Sequence, residues 1–250
     1  MAARNLRWTC GFATTIIALG VQPIACSPSS GSWPDGAVVS DSGGADAGED
    51  SGTELDSGAN ACDVLNTDAS NVAICPAEMI LGCADAPACV TRTCVDRYEA
   101  TEGVGGVAVS AAGSIPWTSI TSAEAEAACA AAGKRLCNFF EWGLTCMGLS
   151  PGMIYPYGSA YDPQRCNGTD FGAGGVLPAG SVSTCEGGFC GLFDMSGNVA
   201  EWVTPAVPGT NVTIGGSYLS IGGGLDCISI SQEFVGFSDP SVGFRCCLDV

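Results

Sequence analysis

The chain of 250 residues contains no histidine and only eight basic residues. Without histidine it cannot form a Ser-His-Asp or Cys-His nucleophile, a two-His zinc protease or a His-ligated iron centre. The 26 acidic residues bring the formal net charge to -18. Because such a chain repels phosphate backbones, nucleic acid is not an expected partner. With 36 glycines, 16 cysteines and only 14% charged residues, the composition favours a loop-rich, cross-linked globular protein over a bundle of long helices.

The N-terminus is predicted to be an export signal. Arg4 and Arg7 precede an apolar run, Trp8 to Val21, that is too short to span a bilayer. The run leads into Pro23-Ile24-Ala25-Cys26, which resembles a bacterial lipobox, although proline replaces the aliphatic residue usual at its first position. We therefore expect residues 1–25 to be removed and Cys26 to be lipidated. The alternative is an ordinary cleaved signal with this cysteine merely nearby.

A flexible acidic linker is expected over residues 26–61. From Ser27 to Ala61 the sequence is rich in Ser, Gly and Ala, with seven acidic residues and no basic one, and such a segment cannot build a core. It would hold the rest of the chain clear of a membrane surface. No later stretch approaches about 18 uninterrupted apolar residues, so we expect membrane contact only through the lipid. The remainder divides into a cysteine-rich lead-in, residues 62–93, and a domain, residues 94–250.

The cysteines are predicted to form disulfides. Setting aside Cys10 in the signal and Cys26, fourteen cysteines remain between Cys62 and Cys247. The number is even, no pair reads Cys-x-x-Cys, and no histidine is available to complete a mixed zinc site. In an exported chain these features indicate up to seven disulfides, with a structural zinc as the alternative.

Regular structure is predicted to be sparse. Thr121 and Glu124 form a capping box before an alanine-rich stretch that ends at Gly133, which predicts a short helix. Asn138 and Glu141 repeat the pattern before a second helix that ends at a glycine, Gly148. Short apolar runs between Gly, Ser and Pro clusters predict short strands and long ordered loops, as in residues 104–109 and 228–230.

Several ordered segments carry a family resemblance. They are Asp96-Arg97-Tyr98-Glu99-Ala100-Thr101, Ala125 through Gly133-Lys134-Arg135-Leu136 to Glu141-Trp142, Gly191-Leu192-Phe193-Asp194-Met195-Ser196-Gly197-Asn198-Val199-Ala200-Glu201-Trp202, Gly215-Gly216-Ser217-Tyr218 and Gly243-Phe244-Arg245-Cys246. Together, over roughly Cys94 to Val250, they resemble the formylglycine-generating enzyme, or sulfatase-modifying factor, family. The resemblance implies an α+β domain of the C-type-lectin-like, formylglycine-generating-enzyme fold, with little regular secondary structure and many disulfides.

The resemblance also implies part of the disulfide pattern. Cys129 corresponds to a family cysteine that pairs with the one in the closing segment, here Cys246. Cys146 corresponds to one whose partner lies 19 residues before the closing cysteine, which is Cys227. Two cysteines that depart from the family pattern, Cys137 and Cys247, form a third expected bridge. The pairing of the other eight is left open: Cys62, Cys75, Cys83, Cys89, Cys94, Cys166, Cys185 and Cys190.

The family's copper site is not expected here. Family enzymes oxidise a sulfatase cysteine to formylglycine with molecular oxygen and a copper(I) ion held by two cysteines just after the Gly-Gly-Ser-aromatic segment. Thiolates suit this soft ion, but Ser220 stands at the first position and no second cysteine follows in the shortened loop up to Cys227. The resemblance therefore implies no catalytic residue. A related branch of iron-dependent sulfoxide synthases needs histidine, which the chain lacks.

A calcium site is carried over from the same resemblance. Its ligand positions fall on Asp194, Gly197, Val199 and Glu201, where two acids bracket a Ser-Gly-Asn turn and could supply carboxylate and carbonyl oxygens. Acids around a turn are also common without an ion. Ala200 replaces the tryptophan usual beside this site in the family. A second family calcium site would begin at Asn167.

Three further acids leave carboxylate catalysis conceivable. Glu99, Glu141 and Glu201 lie in framework segments, where each is more simply read as a helix cap or as a partner for Arg97, Arg135 or Arg245. The sequence therefore favours an exported lipoprotein of the outer membrane or cell surface, otherwise periplasmic or secreted, with a non-catalytic domain that binds an envelope protein or a glycan. The alternatives are a formylglycine-generating oxidase and a carbohydrate-binding module.

Overall fold

A computed structural model describes residues 74–83 and 92–250. The predicted signal, Cys26, the acidic linker and most of the lead-in, including Cys62 and Cys89, lie outside these residues. No helix within the described ranges is long and apolar enough to cross a membrane. The described residues form two α-helices, α1 (Ser122–Ala131) and α2 (Phe139–Met147). In the same ranges, short 3-10 helices occupy Thr169–Phe171, Ser183–Cys185 and Gly222–Leu225.

Within the described part of the chain, ten short strands form three sheets. In chain order they are β1 (Met79–Cys83), β2 (Arg92–Asp96), β3 (Ala100–Glu102), β4 (Ala108–Ser110), β5 (Arg135–Leu136), β6 (Ala200–Val203), β7 (Asn211–Ile214), β8 (Ile230–Glu233), β9 (Val242–Phe244) and β10 (Cys246–Asp249). The sheet orders are β1-β2-β10-β5, β3-β4 and β8-β7-β6-β9. Pairing is antiparallel except between β6 and β9. Because β1 pairs with β2 along its whole length, one sheet spans the predicted boundary between lead-in and domain.

Both predicted helices are confirmed, each with its capping box. The Thr121 side chain accepts a hydrogen bond from the Glu124 amide, and the Glu124 carboxylate accepts from the Thr121 amide in return. Asn138 and Glu141 make the same reciprocal pair at the start of α2, which ends at Gly148. A capping box satisfies two amide donors that the first helical turn leaves without a partner. Local chemistry therefore fixes the beginnings of both helices.

The predicted strands start later than the apolar runs suggested. The run over residues 104–109 contributes only its end to β4, because Gly105 and Gly106 adopt left-handed φ angles of 81° and 76° and form a turn after β3. Only Ile230 of the run 228–230 enters β8, which continues into polar residues. Glycine makes such backbone angles accessible, so these turns outweigh strand propensity.

Two adjoining hydrophobic clusters form the core around the four-stranded sheet that contains β6. One is centred on Trp142 of α2 and the other on Trp202 of β6, and both side chains are almost completely buried. Strand alternation places successive residues of β6 on opposite faces of the sheet. Glu201 therefore points away from Trp202, toward the face on which Trp142 lies, and this places a carboxylate inside the core.

Disulfides tie the helices to the C-terminal strand. Cys129 of α1 is bonded to Cys246 and Cys137 to Cys247, so adjacent residues of β10 hold the segments on both sides of β5. Cys146 is bonded to Cys227. Cys129–Cys246 and Cys146–Cys227 are the two pairs that the resemblance implied, and Cys137–Cys247 is the third bridge expected between the two cysteines that depart from the family pattern. Two more pairs that the sequence left open are Cys75–Cys94 and Cys166–Cys185, and Cys190 is also disulfide-bonded.

Candidate functional site

The loop that would carry the family's copper cysteines closes tightly on itself. The Ser220 hydroxyl accepts a hydrogen bond from the Ser217 amide, and the Ser220 amide donates to the Ser217 carbonyl. Gly216 has a φ of 66°, and a Cβ added there would lie 2.1 Å from the carbonyl oxygen of Gly224. The loop ends at Cys227, whose sulfur is bonded to Cys146. The position that the resemblance assigns to the first copper cysteine thus holds a hydroxyl group, and Cys227, which ends the loop, is already cross-linked.

Beside this loop lies a cleft of about 500 Å³. It opens between the loop, strands β7 and β8, and the segment that leads to β9. Ala200, where the family usually has tryptophan, is part of its lining. Six hydroxyl side chains also line it: Thr213, Ser217, Ser220, Ser229, Ser231 and Ser241. We call this space the hydroxyl cleft.

Two carboxylates, Glu233 and Asp239, also line the hydroxyl cleft. Burial, and the nearby negative charge of Asp239, raise the pKa of Glu233. The Ser241 hydroxyl and amide donate hydrogen bonds of 2.6 and 2.8 Å to Asp239, and these bonds lower the pKa of the Asp239 carboxyl. No lysine or arginine is among the residues that line the cleft. The site can therefore accept hydrogen bonds and attract positive charge.

These two acids were not among the sequence-predicted site residues. Glu233 lies 13 positions and Asp239 lies 19 positions after Ser220, and neither belongs to a segment that carries the family resemblance. Single acids scattered along an acidic chain give no local signal of a site. The pairing of β8 with β7 places Glu233, and the turn before β9 places Asp239, in the same cleft as Ser220.

The predicted calcium positions do not form an open ligand set around Glu201. Both of its carboxylate oxygens accept from Arg245 Nε, at 2.9 and 2.8 Å, and one also accepts from Trp142 Nε1 at 2.6 Å. The Asp194 carboxylate accepts a hydrogen bond of 2.6 Å from the Gly180 amide. The turn that contains Val199 is held by Glu99, whose carboxylate accepts from the Val199 amide. As arranged here, Glu201 serves as an arginine partner.

The carboxylate at Asp194 remains compatible with a cation. Three buried acids, Glu99, Asp194 and Glu201, share a single buried guanidinium, that of Arg245. Burial raises the pKa of Asp194 to about 6, and burial together with the charges of Asp194 and Glu201 raises the pKa of Glu99 well above its ordinary value. The group thus has an excess of negative charge that a proton or a cation could offset.

Asn167, the start of the second family calcium site, shows an unusual contact pattern. Its amide nitrogen donates to the Gly175 carbonyl and to Asn198 Oδ1, each at 2.9 Å. Its amide oxygen is the one buried side-chain N or O atom among the described residues that lacks a hydrogen-bond partner. Buried polar atoms are nearly always satisfied, so this oxygen fits a ligand position.

The acids considered for catalysis have structural partners. Glu141 caps α2 and forms an ion pair with Arg135, and Glu201 holds Arg245. Glu99 accepts hydrogen bonds from Asn198 Nδ2 and the Val199 amide, so it stabilises the turn between Asp194 and β6. The residues predicted as caps and arginine partners are thus found in those roles, except that Glu99 binds the turn instead of Arg97.

A structural zinc is not supported where the cysteines are described. The group of potential ligands that the described residues bring within metal-binding distance is Cys137, Glu141 and Cys247. Its two sulfurs are bonded to each other. Zinc binds cysteine as the thiolate, so this group cannot hold it while the disulfide is intact.

Comparisons with known proteins agree with this geometry. The family model for the sulfatase-modifying factor enzyme 1-like domain matches residues 83–250. "Inactive C-alpha-formylglycine-generating enzyme 2" of Bos taurus is 34% identical over 89 residues, 32% of this chain and 29% of the relative. "Serine/threonine-protein kinase Pkn1" of Chlamydia trachomatis serovar L2 is 30% identical over 138 residues, 47% of this chain and 22% of that protein. The chain spans less than half of the length of these curated relatives.

Two solved structures share the fold. CarF aligns with a TM-score of 0.51 and 21% identity, covering 64% of this chain and 87% of that one. Treponema denticola variable protein 1 aligns with a TM-score of 0.52 and 14% identity, covering 68% of this chain and 91% of that one. At these identities the likeness concerns the fold alone.

Proposed function

Because this chain belongs to the sulfatase-modifying factor enzyme 1-like domain family, we propose that it is a non-catalytic member whose hydroxyl cleft binds a partner at the cell envelope. The observation that carries the proposal is the lack of a free thiol in the loop from Ser217 to Cys227. Ser220 supplies a hydroxyl, and Cys227 is bonded to Cys146. Copper(I) prefers thiolates, so this donor set does not fit the family's cofactor.

Two further observations support the loss of catalysis. Each of the eleven cysteines whose side chains are described is disulfide-bonded. The Bos taurus relative is itself named an inactive formylglycine-generating enzyme. A domain that keeps the family core while losing the metal donors retains a shaped surface, and that surface can still bind.

Copper loading and peptide conversion test this proposal. The full chain, purified under oxidising conditions, is titrated with copper(I) in competition with a chromogenic chelator and then incubated with a sulfatase peptide. We expect neither copper retention nor formylglycine in the mass spectrum of the peptide. A catalytic family member, assayed in parallel, controls for the reagents. Tight copper binding together with conversion would establish the formylglycine-generating oxidase instead.

A thiol count gives an independent check. Alkylation of the native chain, followed by peptide mass spectrometry, should leave Cys146 and Cys227 unmodified until a reductant is added. Two alkylated thiols near Cys227 in the native protein would contradict the proposal, because they would restore a possible metal-binding pair.

Envelope anchoring is part of the same proposal. Support comes from the lipobox-like Pro23-Ile24-Ala25-Cys26 segment and the acidic, base-free stretch that follows. The mature chain should begin at a diacylated Cys26 and fractionate with outer membranes. Cys26→Ser should release it into a soluble fraction. An unmodified N-terminus at another residue would show that the segment is an ordinary cleaved signal.

A carbohydrate-binding module is the second candidate function. The hydroxyl groups and carboxylates of the cleft can bind sugar hydroxyls, and this observation favours a glycan as the alternative ligand. A glycan array, probed with calcium and with chelator, tests it directly. If Ser231→Ala weakens glycan binding, that result would favour this function over a protein-binding role.

A further inference from the structure

Strand β8 leaves one edge of its sheet open. It pairs with β7 on one side, and no other described strand lies on the other side. Its first three residues, Ile230, Ser231 and Gln232, are exposed and the fourth, Glu233, is partly so. An uncovered edge presents unpaired amide and carbonyl groups, which are a template for another strand. Natural proteins often protect such edges with lysine or proline, and β8 contains neither.

Exposed apolar residues flank the residues that line the cleft, including those of β8. Phe234 is 70% exposed and Val235 is 85% exposed, although both directly follow β8. The ring of Phe234 packs edge-on against Phe237, which packs in turn against the buried Trp202. We define the apolar rim as the large apolar residues that are exposed and lie, along the chain, no more than two positions from a residue that lines the cleft. They are Leu219, Ile221, Ile228, Ile230, Phe234 and Val235. Such grouped exposure is typical of an interaction site.

The charge of this region is of one sign. Glu233 and Asp239 line the cleft, and the Glu233 carboxylate makes no ion pair or hydrogen bond within the described part of the chain. From residue 201 to the C-terminus the sequence has one basic residue, Arg245, which is buried and paired with Glu201. No basic side chain among the described residues lines the cleft, so an incoming positive charge is favoured at this edge.

Charge also argues against occupants from the chain itself. The acidic linker has seven acids and no base, so the two carboxylates of the cleft repel it. A second copy carries the same net charge of -18 and the same acidic edge. A partner from outside, with basic side chains, is the occupant that the electrostatics favour.

We infer that the β8 edge, the hydroxyl cleft and the apolar rim together dock an extended, basic segment of another protein as an added strand. This inference rests on the proposed binding function and names its partner class. Alternate side chains of an added strand point to opposite faces. Basic side chains on one face would reach Glu233 and Asp239, while apolar contacts with Phe234 and its neighbours would hold the segment at the edge.

The test uses the full chain and three synthetic peptides of about eight residues. One alternates valine with lysine, one valine with glutamate and one valine with serine, each carrying a fluorescent label for anisotropy. We expect the lysine peptide to bind at least about tenfold more tightly than either of the others, with affinity falling as salt is added.

Matched variants locate the contact. Glu233→Gln should weaken binding of the lysine peptide about threefold to tenfold, and Glu233→Lys should abolish it. The control, Glu126→Gln, makes the same charge change as Glu233→Gln on the exposed face of α1 and should have no effect. Phe234→Ser should weaken binding, and Val104→Ser, at a fully exposed apolar residue elsewhere, should not. Circular dichroism confirms that each variant is folded.

The outcomes separate this inference from the proposed function. Equal affinity for the lysine and serine peptides, or no change with Glu233→Lys, overturns the basic-segment inference. The inference is also overturned if a glycan binds in the cleft and the lysine peptide does not compete with it. Self-association of the chain through β8 overturns it as well. In those cases the absence of copper binding would leave the non-catalytic assignment in place. Copper binding with peptide conversion overturns the assignment itself.

Discussion

Arg245 and Glu201 form a fully buried ion pair, in which Nη2 of the guanidinium lies 2.7 Å from Oε1 of the carboxylate. The remaining donors of Arg245 reach the carbonyl oxygens of Asp96 and Phe193, each at 2.9 Å. One arginine therefore connects β2, the loop before β6, and β6 itself. Sequence alone placed these residues in separate segments, 44 positions apart.

Removing either partner of this pair should destabilise the domain severely. Arg245→Met leaves the buried Glu201 carboxylate without its cation, and Glu201→Gln removes the hydrogen-bonded anion of the buried guanidinium, so each should lower the free energy of unfolding by about 3–5 kcal/mol. The double variant should cost less than the sum of the two, because neither charge then remains unpaired. Denaturant unfolding measures the stability of the two single variants and the double variant. Additive single effects would contradict this account.

An exposed ion pair provides the control. Arg165→Met breaks the pair with Asp162 and should lower the free energy of unfolding by less than about 1 kcal/mol.

The two disulfides of β10 should support each other. With Cys129–Cys246 present, Cys137–Cys247 closes a loop of only about ten residues, since Cys129 lies close before Cys137 in the chain. Without Cys129–Cys246, the shortest loop that Cys137–Cys247 closes runs through Cys146–Cys227 and contains about thirty residues. Replacing either cysteine pair by serine should cost about 3 kcal/mol, and replacing both should exceed the sum by about 1 kcal/mol.

Unfolding of these serine variants by denaturant gives the comparison. A double variant that costs less than the sum would mean that the reduced chain retains structure, or that the bridges strain the native state. Either result would contradict the loop-closure explanation.

Asp194 should make stability depend on pH. Burial raises its folded-state pKa to about 6, above the value near 4 expected in the unfolded chain. Between these values the folded state retains a proton that the unfolded state loses, so this residue's contribution to stability is complete below about pH 4 and is lost as pH rises through 6. Relative to Asp194→Asn, the natural chain should lose on the order of 2 kcal/mol between pH 4 and 7. Denaturant unfolding in the presence of chelator at each pH measures the difference in unfolding free energy between the natural chain and Asp194→Asn. A difference that does not change with pH would contradict this prediction.

Calcium should stabilise the chain through the same carboxylate. We expect millimolar calcium to raise the thermal unfolding midpoint by a few degrees at about pH 7.5 and less at about pH 5, where Asp194 is largely protonated. Asp194→Ala should remove the effect, and magnesium in place of calcium should not reproduce it. Scanning calorimetry with calcium and with chelator measures both. An unchanged midpoint with calcium would remove calcium from the expected cofactors.

The beginnings of the helices could be read locally because a capping box involves residues three positions apart. Thr121 with Glu124 and Asn138 with Glu141 were therefore predicted and found. The order of the family segments similarly predicted the fold, whereas the loss of the copper site at Ser220 stays a prediction. Strand limits were less certain, since two glycines with left-handed φ turned the run after residue 104 into a hairpin turn.

The sequence by itself determined the cysteine-rich α+β domain of this family and its two helix starts, and it has a serine where the resemblance expects the first copper cysteine. These depend on residue types and short spacings, which are visible along the chain. Only the tertiary structure decided that Glu201 serves Arg245, and that Glu233 and Asp239 share a cleft with Ser220 at an open sheet edge. Such contacts form between residues far apart in sequence, where the burial of charge and the pairing of strands select partners that no local pattern specifies.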